Sequence, residues 1–379
     1  MGPADGILCA VPPRWVSGSF FLSPSSYSCA GGGSSVPMTG RPPGADVPPV
    51  SSWELGAPPG LRRLWRPLLG LALGLLLLAL AVRGVDLQQV WAGVEQADPG
   101  WVALALVTVL VTTAAKVARW RGLFPAVIGV SFPSLARALL VGQLANALLP
   151  ARLGEVARFH LLGRDEGVSK ATVVGTIAAE KAFDVLFLLL TAGLAAVLTT
   201  LPPWLHGALA GMAALGVAVM VTAVALPRQR VVTLGRRLAG ALPEALTSRL
   251  VWLIDRGLIG LEPLRRPRLA ARACAWSAAV WALAAGTNLA LFRAFQLDLT
   301  IGPALLLLTL LHVGMAPPSS PGRLGVFHAV TVVGLRSFGV GRAVGLAYAA
   351  VLHALVYGPQ LLLGALALGL RPSRGKESR

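Results

Sequence analysis

The sequence predicts an all-α, polytopic membrane protein, and three observations carry that prediction. Of its 379 residues, 55% are hydrophobic and only 13% are charged, against roughly 25% charged in a soluble domain. Several apolar runs approach or exceed the roughly 20 residues that a spanning helix needs. Arginines gather in the segments between those runs, where the positive-inside rule expects them on the cytoplasmic side. This last pattern accounts for the net charge of +17 and excludes a nucleic-acid partner. No stacking platform of alternating aromatic and basic residues accompanies the charge.

Residues 1–60 are rich in Pro, Gly and Ser, as in GGGSS and RPPGADVPP. They cannot bury a core and are expected to be a disordered tail. They also lack the basic start and apolar core of a secretory signal. Cys9, Cys29 and Cys274 form neither a metal-ligand spacing nor a disulfide framework.

Residues 61–371 are expected to form the transmembrane domain. Arg62, Arg63 and Arg66 place the start of the first span, about Pro67–Val82, in the cytoplasm. The segment DLQQVWAGVEQADPG is acidic and reads as an external loop. A second span, about Trp101–Ala118, returns to Arg119 and Arg121, with Lys116 snorkelling to the interface. The apolar part of the next segment, about Leu135–Pro150, is short for a crossing. Arg152, Arg158, Arg164 and Lys170 follow it, so a hairpin that turns near Pro150 and returns keeps these cations inside.

Val173–Thr199 crosses outward and Leu209–Leu226 crosses back. Residues 227–272 are basic and partly amphipathic, as for a segment lying on an anionic cytoplasmic leaflet. Ala273–Phe292 crosses again. Ile301–Met315 and Leu324–Phe338 then flank the break APPSSPGRLG and form a second hairpin, entered from outside. Val344–Leu370 crosses inward to residues 372–379, a basic tail. The count is about six full transmembrane helices plus two broken or re-entrant helical hairpins facing each other, as an inverted repeat would place them. Both termini are expected in the cytoplasm, and the membrane is the cell's cytoplasmic one. Opposed broken helices are a recurring way to build a transporter binding site.

Charge at membrane depth costs about 3 kcal/mol per group, so a charged cluster there is a candidate site. The segment from Asn146 to Asp184 carries Asn146, Arg152, Glu155, Arg158, Glu180, Lys181 and Asp184. Glu180 and Asp184 are four residues apart, on one helical face. They repel unless one cation serves both, and Lys181, Arg152 and Arg158 are the candidates. The competing reading leaves Glu180 and Lys181 at the interface, facing water.

The run Asn146-x-x-x-Pro150-x-Arg152-x-Gly154-Glu155-x-x-Arg158, followed by Glu180-Lys181-x-x-Asp184, resembles a signature of the lysylphosphatidylglycerol synthase transmembrane family. That family is also called flippase-like. Pro317-Pro318-Ser319-Ser320-Pro321-Gly322-x-x-Gly325-Val326-Phe327, with Gly339-Val340 beyond it, is similar to the family's second signature. The resemblance covers about Leu64–Leu370. The chain departs from the family where Lys181 replaces an arginine and where His328 replaces an acid. An arginine is also common in the family near His353.

The resemblance implies a flippase-like transporter that moves a phospholipid or other lipid-linked head group across the membrane. Its partners would be membrane lipids, anionic or aminoacylated, and a lipid- or glycan-synthesis enzyme is a candidate protein partner. Arg152 and Arg158 would bind the lipid phosphate, with Glu155, Glu180 and Asp184 pairing them in the empty state. Pro150, Gly154, Pro317, Ser320, Pro321, Gly322, Gly325, Phe327 and His328 would supply the helix breaks and the second half of the site. Nine residues follow Leu370, so no aminoacyltransferase activity is expected.

An alternative makes the chain a membrane accessory or structural partner of a synthesis enzyme, its charges forming a buried ion-pair network. An intramembrane lipid-modifying enzyme is disfavoured. His160, His206, His312, His328 and His353 are dispersed, and no nucleophile elbow, P-loop or HExxH occurs. No cofactor or metal is expected.

Overall fold

A computed structural model describes residues 65–124, 129–149, 153–200, 206–214, 218, 227–239, 243–244, 246–248, 251, 267–316 and 321–370. The chain divides into Met1–Ala57, wholly outside the described residues, and Pro58–Arg379, which carries every helix below. All regular elements among the described residues are helical, which fits the predicted class.

Helix α1 spans Trp65–Val82. The chain then turns at Gly84, with φ +72°, into α2, Leu87–Glu95, where the Asp86 carboxylate accepts from the Gln88 amide as an N-cap. The second half of α1 and α2 are bent by 87° to each other. The expected external loop is therefore partly a short amphipathic helix. Its signal is Asp86 as an N-cap, a preferred role for aspartate. Leu87 and Trp91 on α2 stay exposed.

Helix α3, Pro99–Gly122, begins at Asp98, which accepts from the Gly100 and Trp101 amides at 2.7 and 3.2 Å. At 24 residues it is about 36 Å long and clears the bilayer core. Helix α4, Phe132–Leu148, has 17 residues and α5, Gly154–Asp165, has 12. The two pack together as a hairpin of helices too short to cross fully. Its far end is fixed by Arg137, which pairs with Asp165 at 2.6 Å and donates to the Ala367 carbonyl at 3.1 Å.

Helix α6 runs from Lys170 to Leu198 after a Ser169 cap. Residues 206–214 are helical, but 215–217 and 219–226 lie outside the described residues, so most of the expected Leu209–Leu226 span does too. Helix α7, Arg228–Leu238, carries Arg228, Arg230, Arg236 and Arg237, with Leu234 and Leu238 exposed. This is the described part of the basic segment.

Helix α8, Pro267–Ala294, packs along α3, with Thr108 and Thr287 hydroxyls 2.9 Å apart across the contact. Helices α9, Ile301–Gly314, and α10, Val326–Arg336, form the second hairpin around a tight turn at Pro321–Arg323. Helix α11, Arg342–Gly369, holds Pro359 in its interior and packs on α4.

Among the described residues four helices (α3, α6, α8 and α11) are long and apolar enough to cross a membrane, or five spans if the bent α1–α2 pair is one. Of the expected six full spans, these account for four, with the bent α1–α2 pair at the position of the first, and most of Leu209–Leu226 lies outside the described residues. Both short hairpins stand where the sequence put them. The outer faces carry large exposed apolar side chains such as Val197, Leu362 and Leu366, as lipid-facing surfaces do. Helices touch through small residues, the usual membrane packing mode. On α11, Gly364 lies so close to α4 that a Cβ would come within 2.9 Å of the Leu140 carbonyl.

Gly325 marks the tightest such contact in the second hairpin. It has φ +87°, and a Cβ there would collide with the Gly74 carbonyl of α1. Gly325→Ala is therefore expected to cost about 2 kcal/mol or more. Gly339 also has a positive φ, of +78°, but open space around it, so Gly339→Ala carries the backbone strain alone. Thermal unfolding of the detergent-purified protein should show a clearly larger drop in midpoint for Gly325→Ala.

Candidate functional site

The first hairpin closes on two glycines. A Cβ at Gly154 would strike the Gly142 carbonyl, and one at Gly142 would press on the Arg158 side chain at 2.6 Å. The start of α5 has no cap from its own Leu153. The Asn146 side chain on α4 supplies one, its Oδ1 accepting from the Gly154 amide at 2.8 Å. Asn146 thus ties the returning helix to the entering one.

The close approach of α4 and α5 aims Arg158 into the protein. The residue is 5% exposed, and its guanidinium sits 3.9 Å over the Trp120 ring, a cation–π arrangement. It donates to both Glu180 carboxylate oxygens, at 2.6 and 3.3 Å. Arg119, 1% exposed, approaches the same carboxylate from α3 at 3.4 Å. It also donates to Asp184 at 2.7 Å and to the Ser277 hydroxyl of α8 at 3.4 Å.

Arg158, Glu180, Arg119 and Asp184 thus form one charge-balanced chain linking α3, α5, α6 and α8. The cation that serves both acids is Arg119. Sequence reasoning had offered Lys181, Arg152 and Arg158 for that role and had left Arg119 as an interfacial loop marker. Lys181 instead turns to Glu155, 3.5 Å away, in a half-exposed pair.

These groups form one wall of a cavity of about 480 Å³ between the two hairpins. Asn146, Glu155, Arg158, Glu180, Lys181 and Asp184 line it, and from the second hairpin so do Phe327, Arg323 and His312. Val109, Leu139, Val280 and Trp281 add apolar side chains to the lining. The volume is that of a small-molecule or head-group site.

The remaining predicted residues have other places. Pro150, Arg152, Pro317 and Ser320 lie outside the described residues. Pro321 and Gly322 form the turn of the second hairpin, with Gly322 at φ +64°. The Gly322 carbonyl accepts from His353 Nε2 at 2.8 Å. His328 is buried against Phe327, 5.1 Å from the His353 ring, and its Nδ1 has no hydrogen-bond partner among the described residues. His353 in turn stacks on Tyr357 at 4.5 Å. The structure therefore puts His328 in an aromatic cluster beside the cavity, while Phe327 faces it.

Sequence reasoning missed Lys116, Arg119, His312 and Arg323. The spacing Lys116-x-x-Arg119 was a usable signal, since residues three apart share a helical face. It was masked because cations at span ends ordinarily snorkel. His312 and His328 do not meet across the hairpin: the His312 ring packs on Trp281 at 4.6 Å. Among the described residues no three His, Cys, Asp or Glu side chains are grouped to hold a metal ion.

Comparison with known proteins gives a consistent context. The family model for the lysylphosphatidylglycerol synthase TM region matches residues 68–364. The glycosyltransferase AglD of Haloferax volcanii is 30% identical over 147 residues, which is 38% of this chain and 23% of that protein. The match therefore spans less than a quarter of that relative's length. No solved structure matches the chain.

Removing Arg119 strands two acids, one of them buried. Arg119→Ala is expected to cost about 3–5 kcal/mol, the usual loss when one partner of a buried pair is deleted. Arg119→Lys should restore only part of this, because one ammonium does not reproduce a fork that reaches two carboxylates. Asp184→Asn should be milder, since that side chain is 31% exposed. Thermal unfolding in detergent ranks the three.

Proposed function

The chain belongs to the lysylphosphatidylglycerol synthase TM region family, and on that premise we propose that it moves a phospholipid, or another lipid-linked head group, across the membrane. The observation that carries this reading is the two-natured cavity. Its lining combines ionised groups with apolar side chains, as an amphiphile needs at the point where its head passes membrane depth. A water-soluble substrate gains nothing from the apolar side chains, and a wholly apolar one would leave the ion pairs unsolvated.

The two hairpins are the parts suited to rearrangement, because neither is held by a complete crossing. The buried Arg158–Glu180–Arg119 arrangement keeps the base of the first hairpin on α3 and α6. The half-exposed Lys181–Glu155 pair is weaker, since solvent screens it, and exchanges its partner for a head group. Gly322 and Arg323, both at positive φ, form a tight corner about which the second hairpin can tilt. In this reading the cytoplasmic membrane is the site of action, with both termini on its cytoplasmic side.

A second reading draws on the glycosyltransferase relative. In it the domain presents a lipid-linked substrate to a synthesis enzyme as a membrane partner. Retention of such an enzyme through purification, without lipid translocation, would favour it.

Reconstitution into liposomes with a fluorescent phospholipid decides the matter. Wild-type protein should speed loss of outer-leaflet label over empty liposomes. Arg152→Ala and Glu155→Gln should each slow it about tenfold, equivalent to about 1.4 kcal/mol of barrier, with unchanged thermal midpoints. Wild-type rates from both variants would sink the proposal.

A further inference from the structure

Among the described residues the charges that face the cavity do not balance. Five described cations line it: Lys116, Arg119, Arg158, Lys181 and Arg323. Three carboxylates face them: Glu155, Glu180 and Asp184. All three are already engaged, Glu180 by two arginines, Asp184 by Arg119 and Glu155 by Lys181. Lys116 and Arg323 have no carboxylate of the described residues within ion-pair distance.

Arg323 donates to the Met315 sulfur at 3.5 Å, a weak acceptor that does nothing for its charge. The two cations come from different halves of the protein, Lys116 from α3 and Arg323 from the turn of the second hairpin. Both line the same cavity, and His312 lines it with them. Its Nδ1–H is committed to the Leu308 carbonyl at 2.8 Å, which leaves Nε2 as its remaining polar atom.

We propose that the cavity takes an anionic, phosphate-bearing lipid head group seated between Lys116 and Arg323, and not an aminoacylated, cationic one. This rests on the lipid-translocation reading and selects its substrate class. A phosphate ester supplies the missing negative charge and oxygens for a guanidinium and an ammonium at once. A cationic head group finds no free acid. It must displace Arg158 or Arg119 from buried, multiply bonded pairs, or displace Lys181 from Glu155 and so enlarge an existing excess of positive charge. The family's name points to an aminoacylated lipid, whereas the charge balance of this chain points the other way.

The test is lipid retention, which needs no transport. Full-length protein in detergent is loaded with equal amounts of phosphatidic acid, phosphatidylglycerol and lysylphosphatidylglycerol, washed, and its retained lipid measured by mass spectrometry. Phosphatidic acid should exceed lysylphosphatidylglycerol by about tenfold. Lys116→Met should lower phosphatidic acid retention about tenfold, and Lys116→Arg should restore it. Arg323→Asn should do the same as Lys116→Met, asparagine being chosen because it tolerates the positive φ of that position.

Equal or stronger retention of lysylphosphatidylglycerol overturns the proposal, as does wild-type retention by Lys116→Met with an unchanged thermal midpoint. Inorganic phosphate alone, tested for thermal protection, should give little; protection by it without retained phosphatidic acid overturns the lipid assignment. Preserved phosphatidic acid selectivity with no flipping sinks only the transport reading. Flipping of the cationic lipid with no such selectivity sinks only this one.

Discussion

Everything near the centre of this protein depends on one carboxylate, that of Glu180. It is buried in a helix that crosses the membrane, where an unpaired charge is costly. Arg158 holds it with two hydrogen bonds and Arg119 closes on it from the other side. These three residues sit on three helices, so the cost of exposing any one charge keeps α3, α5 and α6 together. Such an ion pair is weak evidence for stability in itself. Its consequence here is positional, because it fixes where the first hairpin returns.

The hairpin geometry follows from two further constraints. Helices of 17 and 12 residues cannot cross and must be surrounded by protein. The surrounding elements are α3, α6 and α11. Close contact is gained within the hairpin through Gly142 and Gly154 and with α11 through Gly364, where a side chain would not fit. The exposed backbone at the start of α5 is met by Asn146. A residue that looked like a ligand-binding group in the sequence is thus also the cap that makes the turn possible. The same logic governs the second hairpin, where Gly325 rests on the backbone of α1 and His353 receives the turn through the Gly322 carbonyl.

Lys181 and His328, where the sequence departs from the signatures it resembles, gain a physical sense in this setting. Lys181, in place of an arginine, holds Glu155 with a single contact at the cavity's half-exposed edge, where a bidentate fork is not needed. His328, in place of an acid, lies among Phe327 and His353, where a carboxylate would be buried without a cation beside it.

The sequence by itself determined the membrane class, the long spans α3, α6, α8 and α11, and the two short broken units. Hydrophobic length and arginine placement are local properties, set residue by residue against the bilayer. It also marked most of the charged wall, because intramembrane acids such as Glu180 and Asp184 are conspicuous in any linear reading. Which cation meets which acid was beyond it. Arg119 lies 61 and 65 positions from its partners in the chain, and an arginine at a helix end looks the same whether it faces water or a carboxylate. The bend between α1 and α2 was likewise invisible to a hydropathy count. Tertiary structure alone decided these matters, since a buried charge is satisfied by whatever packing brings within about 3 Å, and separation in sequence does not limit that choice.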